Sequence, residues 1–416
     1  MFHIFVQPRF EEQYALFCAT PEAASLSWIA LLFAILGTAV NAVDAESPML
    51  TALSRHATPS ARIADLSARY RTVAMRCLEA DQYLWRHNLQ TLQALLVLIY
   101  GISHSHGQSW SLLGLACNIG VAIGCHVDPG TLELDAISCE ERKRCFTGLH
   151  MLLISQSLAM GNLGLQNGGI ASNTPLPLDV ADETISAGLS VSPSSHPTSS
   201  PIAYMLSRFR LFKLCSEICG NDILGSNVKM DGVNRLDNAI LMEKQIWQQR
   251  YGVGDPHPPT GLSFVYLTML EAYSCHISLL LHTPVLAKPV LYSAHNAWSR
   301  HRCWESSRRM LEIHHLFDIS PDFKPFQWYH RGRGSFHAFH AAVCLTALFS
   351  TSQPTDERNE THDTADLLRG CLFRFQAMVD LSPVCARASP VLNSFLCVSF
   401  YALLSFSHCL LDMVKP

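Results

Sequence analysis

Twenty histidines and fifteen cysteines, spread over 416 residues, are the side chains here that could ligate a metal or act as nucleophiles. A structural zinc site needs four such ligands at close spacing, and the sequence does not supply it. There is no Cys-x-x-Cys, and the closest pair, Cys215 and Cys219, lies one helical turn apart. His337 and His340, three residues apart, could face one ligand, whereas the adjacent His314 and His315 diverge by about 100° on a helix. No His-Glu-x-x-His sets two imidazoles beside a general base. Hydrogen-bonded, partly buried histidines are the plainer reading, and no metal site is expected. A serine nucleophile lacks its Gly-x-Ser-x-Gly elbow, and among so many cysteines and histidines no Cys–His pair stands out. Gly161-Asn162-Leu163-Gly164 has neither the phosphate-loop lysine nor the full dinucleotide glycine pattern. Glu140-Glu141 sits beside Arg142-Lys143-Arg144, which reads as a charged helix start rather than an acid/base pair. No catalytic, cofactor-binding or metal-binding residue is therefore nominated.

The composition bounds the remaining classes. Only 15% of residues are charged and 49% are hydrophobic, against roughly a quarter charged in an ordinary soluble domain. Such a chain can bury a large core, which excludes wholesale disorder. Thirty Lys+Arg against 34 Asp+Glu leave a net charge of -4, with no general excess of positive charge for a phosphate backbone. The densest basic runs are Arg142-Lys143-Arg144, Arg300 to Arg309 and Arg331-Gly332-Arg333. They are short and interrupted, so solvated helix faces or partner contacts are expected and direct nucleic-acid binding by this chain is not. The odd cysteine number without paired spacing points to free thiols in a reducing compartment. Residues 1–14 carry no basic segment before an apolar one, so no secretory signal is read.

The elements that would position any site are helical. Leu92, Leu95, Leu96 and Ile99 recur at three- and four-residue steps, as do Leu112, Leu115, Ile119 and Ile123. Neither short alternating strands nor a strand–helix alternation appears. The sequence predicts an all-α, large multi-helix domain spanning residues 1–416, with long Ser/Pro-rich surface loops. The loops are placed near 167–201, 251–261 and 350–364, and the blocks between them share one core. Ala388 to Leu411 is uncharged and long enough to span a bilayer. Its Asn393, Ser394, Ser399, Ser405, Ser407 and His408 favour a buried core helix over a membrane anchor.

One stretch resembles a known family. Thr91-Leu92-Gln93-Ala94-Leu95-Leu96 is followed by Trp110-Ser111-Leu112-Leu113-Gly114-Leu115-Ala116 and then by Gly124-Cys125-His126-Val127-Asp128-Pro129. This order is similar to the middle homology region of fungal-specific transcription factors, the regulatory domain that usually follows a Zn2Cys6 cluster. In the resemblance, Gly124, His126, Asp128 and Pro129 fall on the family's Gly-Leu-His-Arg-Asp-Pro. Arg144 falls on its basic helix start, Gly161 on its Gly-Arg-Pro and Pro177 on its Leu-Pro close. Pro8 to Tyr14 and the run Leu279-Leu280-Leu281-His282-Thr283-Pro284 are looser echoes, the latter placing Pro284. These motif positions are expected to be structural.

Departures accompany the likeness. Phe146-Thr147 stands where the family has a Trp-Trp pair, Leu153-Ile154 where it has Asp-Arg, and Val127 and Thr283 each replace an arginine. Losing both partners of a buried charge pair can be nearly neutral, so the fold is expected to survive. Cys18 is the only cysteine before Cys77, so the six thiolates of a zinc cluster are missing. No cofactor is expected, and zinc would enter only with an N-terminal cluster that this chain does not carry. The resemblance implies a non-catalytic, transcription-regulatory domain, nuclear or nucleocytoplasmic. It would act through a protein partner or a small-molecule effector, in an oligomeric state the sequence leaves open. An enzyme, resting on the histidines, and a C-terminally anchored membrane protein remain the alternatives.

Overall fold

A computed structural model describes residues 3–44, 46–104, 109–160, 172–186, 201–220, 230–251, 259–286, 294–351 and 358–412. Among these residues every regular element is helical and none is a strand, as the periodicity predicts. The α-helices are α1 (Gln7–Ala19), α2 (Leu26–Ala39), α3 (Pro48–Leu53), α4 (Pro59–Ala80), α5 (Leu89–His104), α6 (Trp110–Ala122), α7 (Ala136–Met160) and α8 (Asp182–Ser186). They continue as α9 (Pro201–Gly220), α10 (Met230–Arg250), α11 (Gly261–Leu286), α12 (Ala294–Ile319), α13 (Gln327–Tyr329), α14 (Ser335–Thr351), α15 (Arg358–Ala377) and α16 (Pro383–Asp412). The chain divides into two compact units, one of residues 1–221 and 245–270, the other of residues 222–244 and 271–416.

The first unit is built around α5. Every residue from Thr91 to Tyr100 is buried, because a helix apolar on all sides finds its place only inside a bundle. It packs against α2, α6 and α7, and α2 packs in turn against α4. Its start is fixed by a reciprocal cap. The Thr91 N–H donates to Asn88 Oδ1 at 3.0 Å, and the Asn88 N–H donates to Thr91 Oγ1 at 3.3 Å. Full burial of each leucine at positions 92, 95 and 96 stabilises the bundle by about 1.5–3 kcal/mol.

In the second unit α12, α14, α15 and α16 pack together. His282 lies between Asp237 Oδ1 and Ser299 Oγ, 3.1 Å from each. The same Asp237 oxygen accepts Arg302 Nε at 3.1 Å and Nη2 at 2.9 Å, so the buried carboxylate has a cationic partner. Between α13 and α14 the backbone makes a π-turn over His330–Gly334. On α16, Cys385, Ala388, Ser389, Leu392 and Leu396 are buried at helical spacing, and the side chains from 398 onward lie outside the described residues. Among the described residues one helix, Gly261–Leu286, is long and apolar enough to cross a membrane, and 78% of its most apolar window is buried.

The expected surface loops fare differently. Most of 167–201 and 251–261 lies outside the described residues. What is described of the first is an irregular segment, the short α8 and Pro201 at the start of α9. The loop expected at 350–364 is shorter than the polar composition suggests, since α14 runs to Thr351 and α15 begins at Arg358. Ala365, Leu368, Cys371 and Phe375 bury one face of α15, and the helix they stabilise propagates back through the polar residues.

Candidate functional site

The site is assembled at the first turns of α7. Asp135 caps this helix through the Ser138 N–H at 2.9 Å. Beyond the cap come the residues that the sequence alone suggests are solvated, and here the structure corrects that reading. Arg144 and Glu140 are 0% and 1% exposed and paired at 3.0 Å. Arg144 also reaches Asp182 Oδ1 at 2.7 Å and the Phe5 carbonyl at 3.0 Å. Glu140 Oε1 in turn accepts the Leu178 N–H at 3.0 Å. Burial is tolerated because the guanidinium, and each carboxylate, has partners of opposite charge or polarity. Arg142, half-buried, donates to the Ile123 carbonyl at the end of α6, where a cation meets the exposed carbonyls of a helix C-terminus.

The turn after α6 holds the next motif positions. Gly124 has φ +76°, the left-handed region that glycine enters without a steric cost. The His126 carbonyl accepts the Asn173 N–H at 3.2 Å and Ser172 Oγ at 2.9 Å. Asp128 Oδ1 accepts the Gly130 N–H at 2.9 Å, and buried Pro129 opens a single 3₁₀ turn. Pro177, also buried, immediately precedes Leu178, the residue bonded to Glu140. Gly124 to Pro129, Arg144 and Pro177 thus belong to one hydrogen-bonded neighbourhood in the first unit. Pro284 lies in the second unit, half-buried near the end of α11, and Gly161 lies outside the described residues.

Residues 4–7 are strapped onto this neighbourhood by side chains alone. Gln93 Nε2 donates to the Ile4 carbonyl at 3.3 Å, and the Val6 N–H donates to Glu141 Oε1 at 3.0 Å. The Gln7 N–H donates to Asp182 Oδ2 at 2.9 Å. Burial pushes the Glu141 carboxyl above its ordinary pKa, an effect that the Val6 N–H and the Arg9 and Arg144 guanidiniums partly offset.

Beneath the strap is a cavity of about 340 Å³. The strap and α1 contribute Phe5, Arg9, Phe10 and Gln13, and α2 contributes Leu31. The segment opening α5 contributes Asn88, Leu89, Gln90 and Gln93, and α7 contributes Ser138 and Glu141. Arg9 donates to Ser138 Oγ at 2.9 Å, pairs with Asp135 at 3.2 Å and lies 3.6 Å from Glu141 Oε2. Sequence reasoning did not gather these residues, since they come from four separate segments. The one signal in the sequence is Gln93, a polar side chain within the mainly apolar stretch Leu92 to Tyr100.

Histidines do gather in the second unit. His276 stacks on His337 with ring centroids 4.0 Å apart and meets His340 edge-on at 5.4 Å. His314 lies 4.3 Å from His330 and accepts Arg374 Nε at 3.1 Å. Burial holds His276 and His330 down to about 3. Among the described residues no group of three or more His, Cys, Asp or Glu is placed to hold a metal ion.

A profile described as the fungal specific transcription factor domain matches residues 1–235, the stretch that carries the buried network and the cavity. The chain belongs to that family. It is similar to a pyrrolocin cluster transcription factor of a fungal species, 22% identical over 85% of this chain and 48% of the relative. It is also similar to an aurofusarin cluster transcription factor of Gibberella zeae, 24% identical over 77% of this chain and 46% of that protein. A third relative, a transcription factor of a Pyrenochaetopsis species, is 23% identical over 74% of this chain and 42% of its own length. The chain therefore spans about half the length of the curated relatives it matches. No solved structure matches it.

Proposed function

We propose that this chain is a non-catalytic, transcription-regulatory domain that acts in the nucleus by taking a small-molecule effector or a protein partner. The observation that carries the reading is the place of the cavity. It lies inside the family-matched region, and its walls belong to the same strap and helix that the buried Arg144 network holds. A ligand that binds one arrangement of the strap better than another would shift its population. No zinc or other cofactor is required of these residues, and contact with DNA is left to other parts of an assembly. Three relatives bear names as transcription factors, which supports the regulatory half of the proposal. Fusing the chain to an unrelated DNA-binding domain and measuring a reporter tests it. Activation or repression relative to that domain alone is expected, and a reporter indistinguishable from it refutes the reading.

A further inference from the structure

We propose that the cavity beneath the residue 4–7 strap is an effector site for a neutral, planar aromatic molecule bearing hydroxyl groups. The proposal rests on the regulatory reading above and names the ligand class for it.

Size sets the first limit. Ligand pockets run from about 300 to 1,000 Å³, so a cavity of about 340 Å³ suits a body of one or two rings. The walls set the shape. Phe5 and Phe10 lie with centroids 5.0 Å apart and planes tilted by 30°, and Leu31 and Leu89 add aliphatic surface. The lining is mostly polar, and these four side chains supply its apolar part, to which a flat π-system can present a face or an edge.

Polar groups then decide the charge. Gln90 spends its carbonyl on the hydroxyls of Ser25, at 3.0 Å, and Ser27, at 3.5 Å. Among the described residues its NH2 group finds no acceptor, and the Gln13 side chain makes no hydrogen bond there either. Two amides are thus available as donors to a ligand oxygen. Glu141, whose Oε1 takes the Val6 N–H and whose carboxylate also meets the Gln93 amide and, at 3.6 Å, Arg9, is an acceptor for a ligand hydroxyl. Arg9 is the one guanidinium among the lining residues, and its charge is already met by Asp135 and Glu141. The lining carries one cation, Arg9, against one carboxylate, Glu141, so it offers no net positive charge to receive an anionic ligand in a partly desolvated setting. A hydroxyl both donates to a carboxylate and accepts from an amide. It is the substituent these residues match.

The test uses the full chain with 2,7-dihydroxynaphthalene as the neutral probe and 2-naphthoate as its anionic counterpart, in calorimetric titrations. Saturable one-site binding of the diol is expected, with the carboxylate at least about tenfold weaker, the equivalent of roughly 1.4 kcal/mol. Leu89→Trp should fill the cavity and abolish diol binding. Gln90→Ala, which removes the free donor without adding bulk, should weaken it by about five- to tenfold. Glu141→Gln keeps an acceptor for the Val6 N–H and should shrink the preference for diol over carboxylate. No saturable diol binding up to its solubility limit, equal affinity for the two probes, or unchanged binding in both Leu89→Trp and Gln90→Ala overturns the assignment. An active reporter fusion with no diol binding sinks the ligand class alone. Diol binding with a silent fusion sinks the regulatory reading instead.

Discussion

Arg144→Met is the most informative single change to the fold. The wild-type guanidinium is 0% exposed and makes three short contacts, to Glu140, Asp182 and the Phe5 carbonyl. Removing one member of a buried ion pair costs about 3–5 kcal/mol, because the partner is left charged and dry. Asp182 is 20% exposed and can recover water, so its share is the smaller. Glu140 is 1% exposed and keeps only the Leu178 N–H, so its carboxylate carries most of the loss. A destabilisation near the lower bound, about 3 kcal/mol, is expected. At 2–4 °C per kcal/mol for a domain of this size, the melting temperature should fall by roughly 6–12 °C. Urea denaturation followed by circular dichroism measures it. Adding Glu140→Gln to the same chain should restore at least half the loss, since the amide oxygen still accepts from Leu178 and no buried charge remains. A single variant that loses less than about 1 kcal/mol, or a double variant no better than the single, would refute the argument that this network is buried and mutually dependent.

Further outcomes follow from other parts of the structure. Gly124→Ala should cost about 1–2 kcal/mol from backbone conformation alone, since an added Cβ would meet nothing within 4 Å at φ +76°. Gly124→Asn should cost less, and equal losses in urea melts would contradict the conformational cause. Burial pushes the His276, His314 and His330 imidazoles down, His276 and His330 to about 3, so they are neutral when folded and take up protons near pH 6.5 once unfolded. The unfolded chain then binds more protons, and stability falls as the pH drops through 6.5 toward 3. Between pH 7.5 and 5.5 each imidazole should remove about 1.4 kcal/mol, or about 4 kcal/mol for the three. Urea midpoints that do not move over that range would show these rings are not buried neutral. Iodoacetamide should label Cys18 and Cys397, which are exposed, in the native protein. Cys275 and Cys371, buried and pushed up to about 12, should react only after denaturation, as peptide mass mapping would show.

The helices were legible in the sequence because three- and four-residue apolar spacing survives any tertiary arrangement. The run from Thr91 to Pro129 was legible for the same reason, with the Gly124 turn marking where α6 ends. Arg142-Lys143-Arg144 was not. Local composition makes three basic residues look solvated, and the partners that bury Arg144 stand elsewhere: Phe5 is 139 residues away and Asp182 is 38 residues away. The cavity was hidden by the same distance effect, since Arg9 and Ser138 meet across 129 residues. At Arg358 the reading failed for a different reason. Polar residues were assigned to a loop, whereas the apolar face that begins at Ala365 extends its helix backward through them.

The strap formed by residues 4–7 also bears on how the chain is made. Its backbone partners lie far downstream, and the Gln7 N–H bonds to Asp182, 175 residues later. At a synthesis rate of about 5–20 residues per second, roughly 9 to 35 s separate the making of these two residues. Through that interval Phe10 gains Trp28 and the Ile4 carbonyl gains Gln93, but the Gln7 N–H has no native acceptor until Asp182 is made. The long separation also makes the closing step slow in topological terms. The strap is therefore placed long after it is made, and the cavity it roofs exists only after α7 and Asp182 have been synthesised.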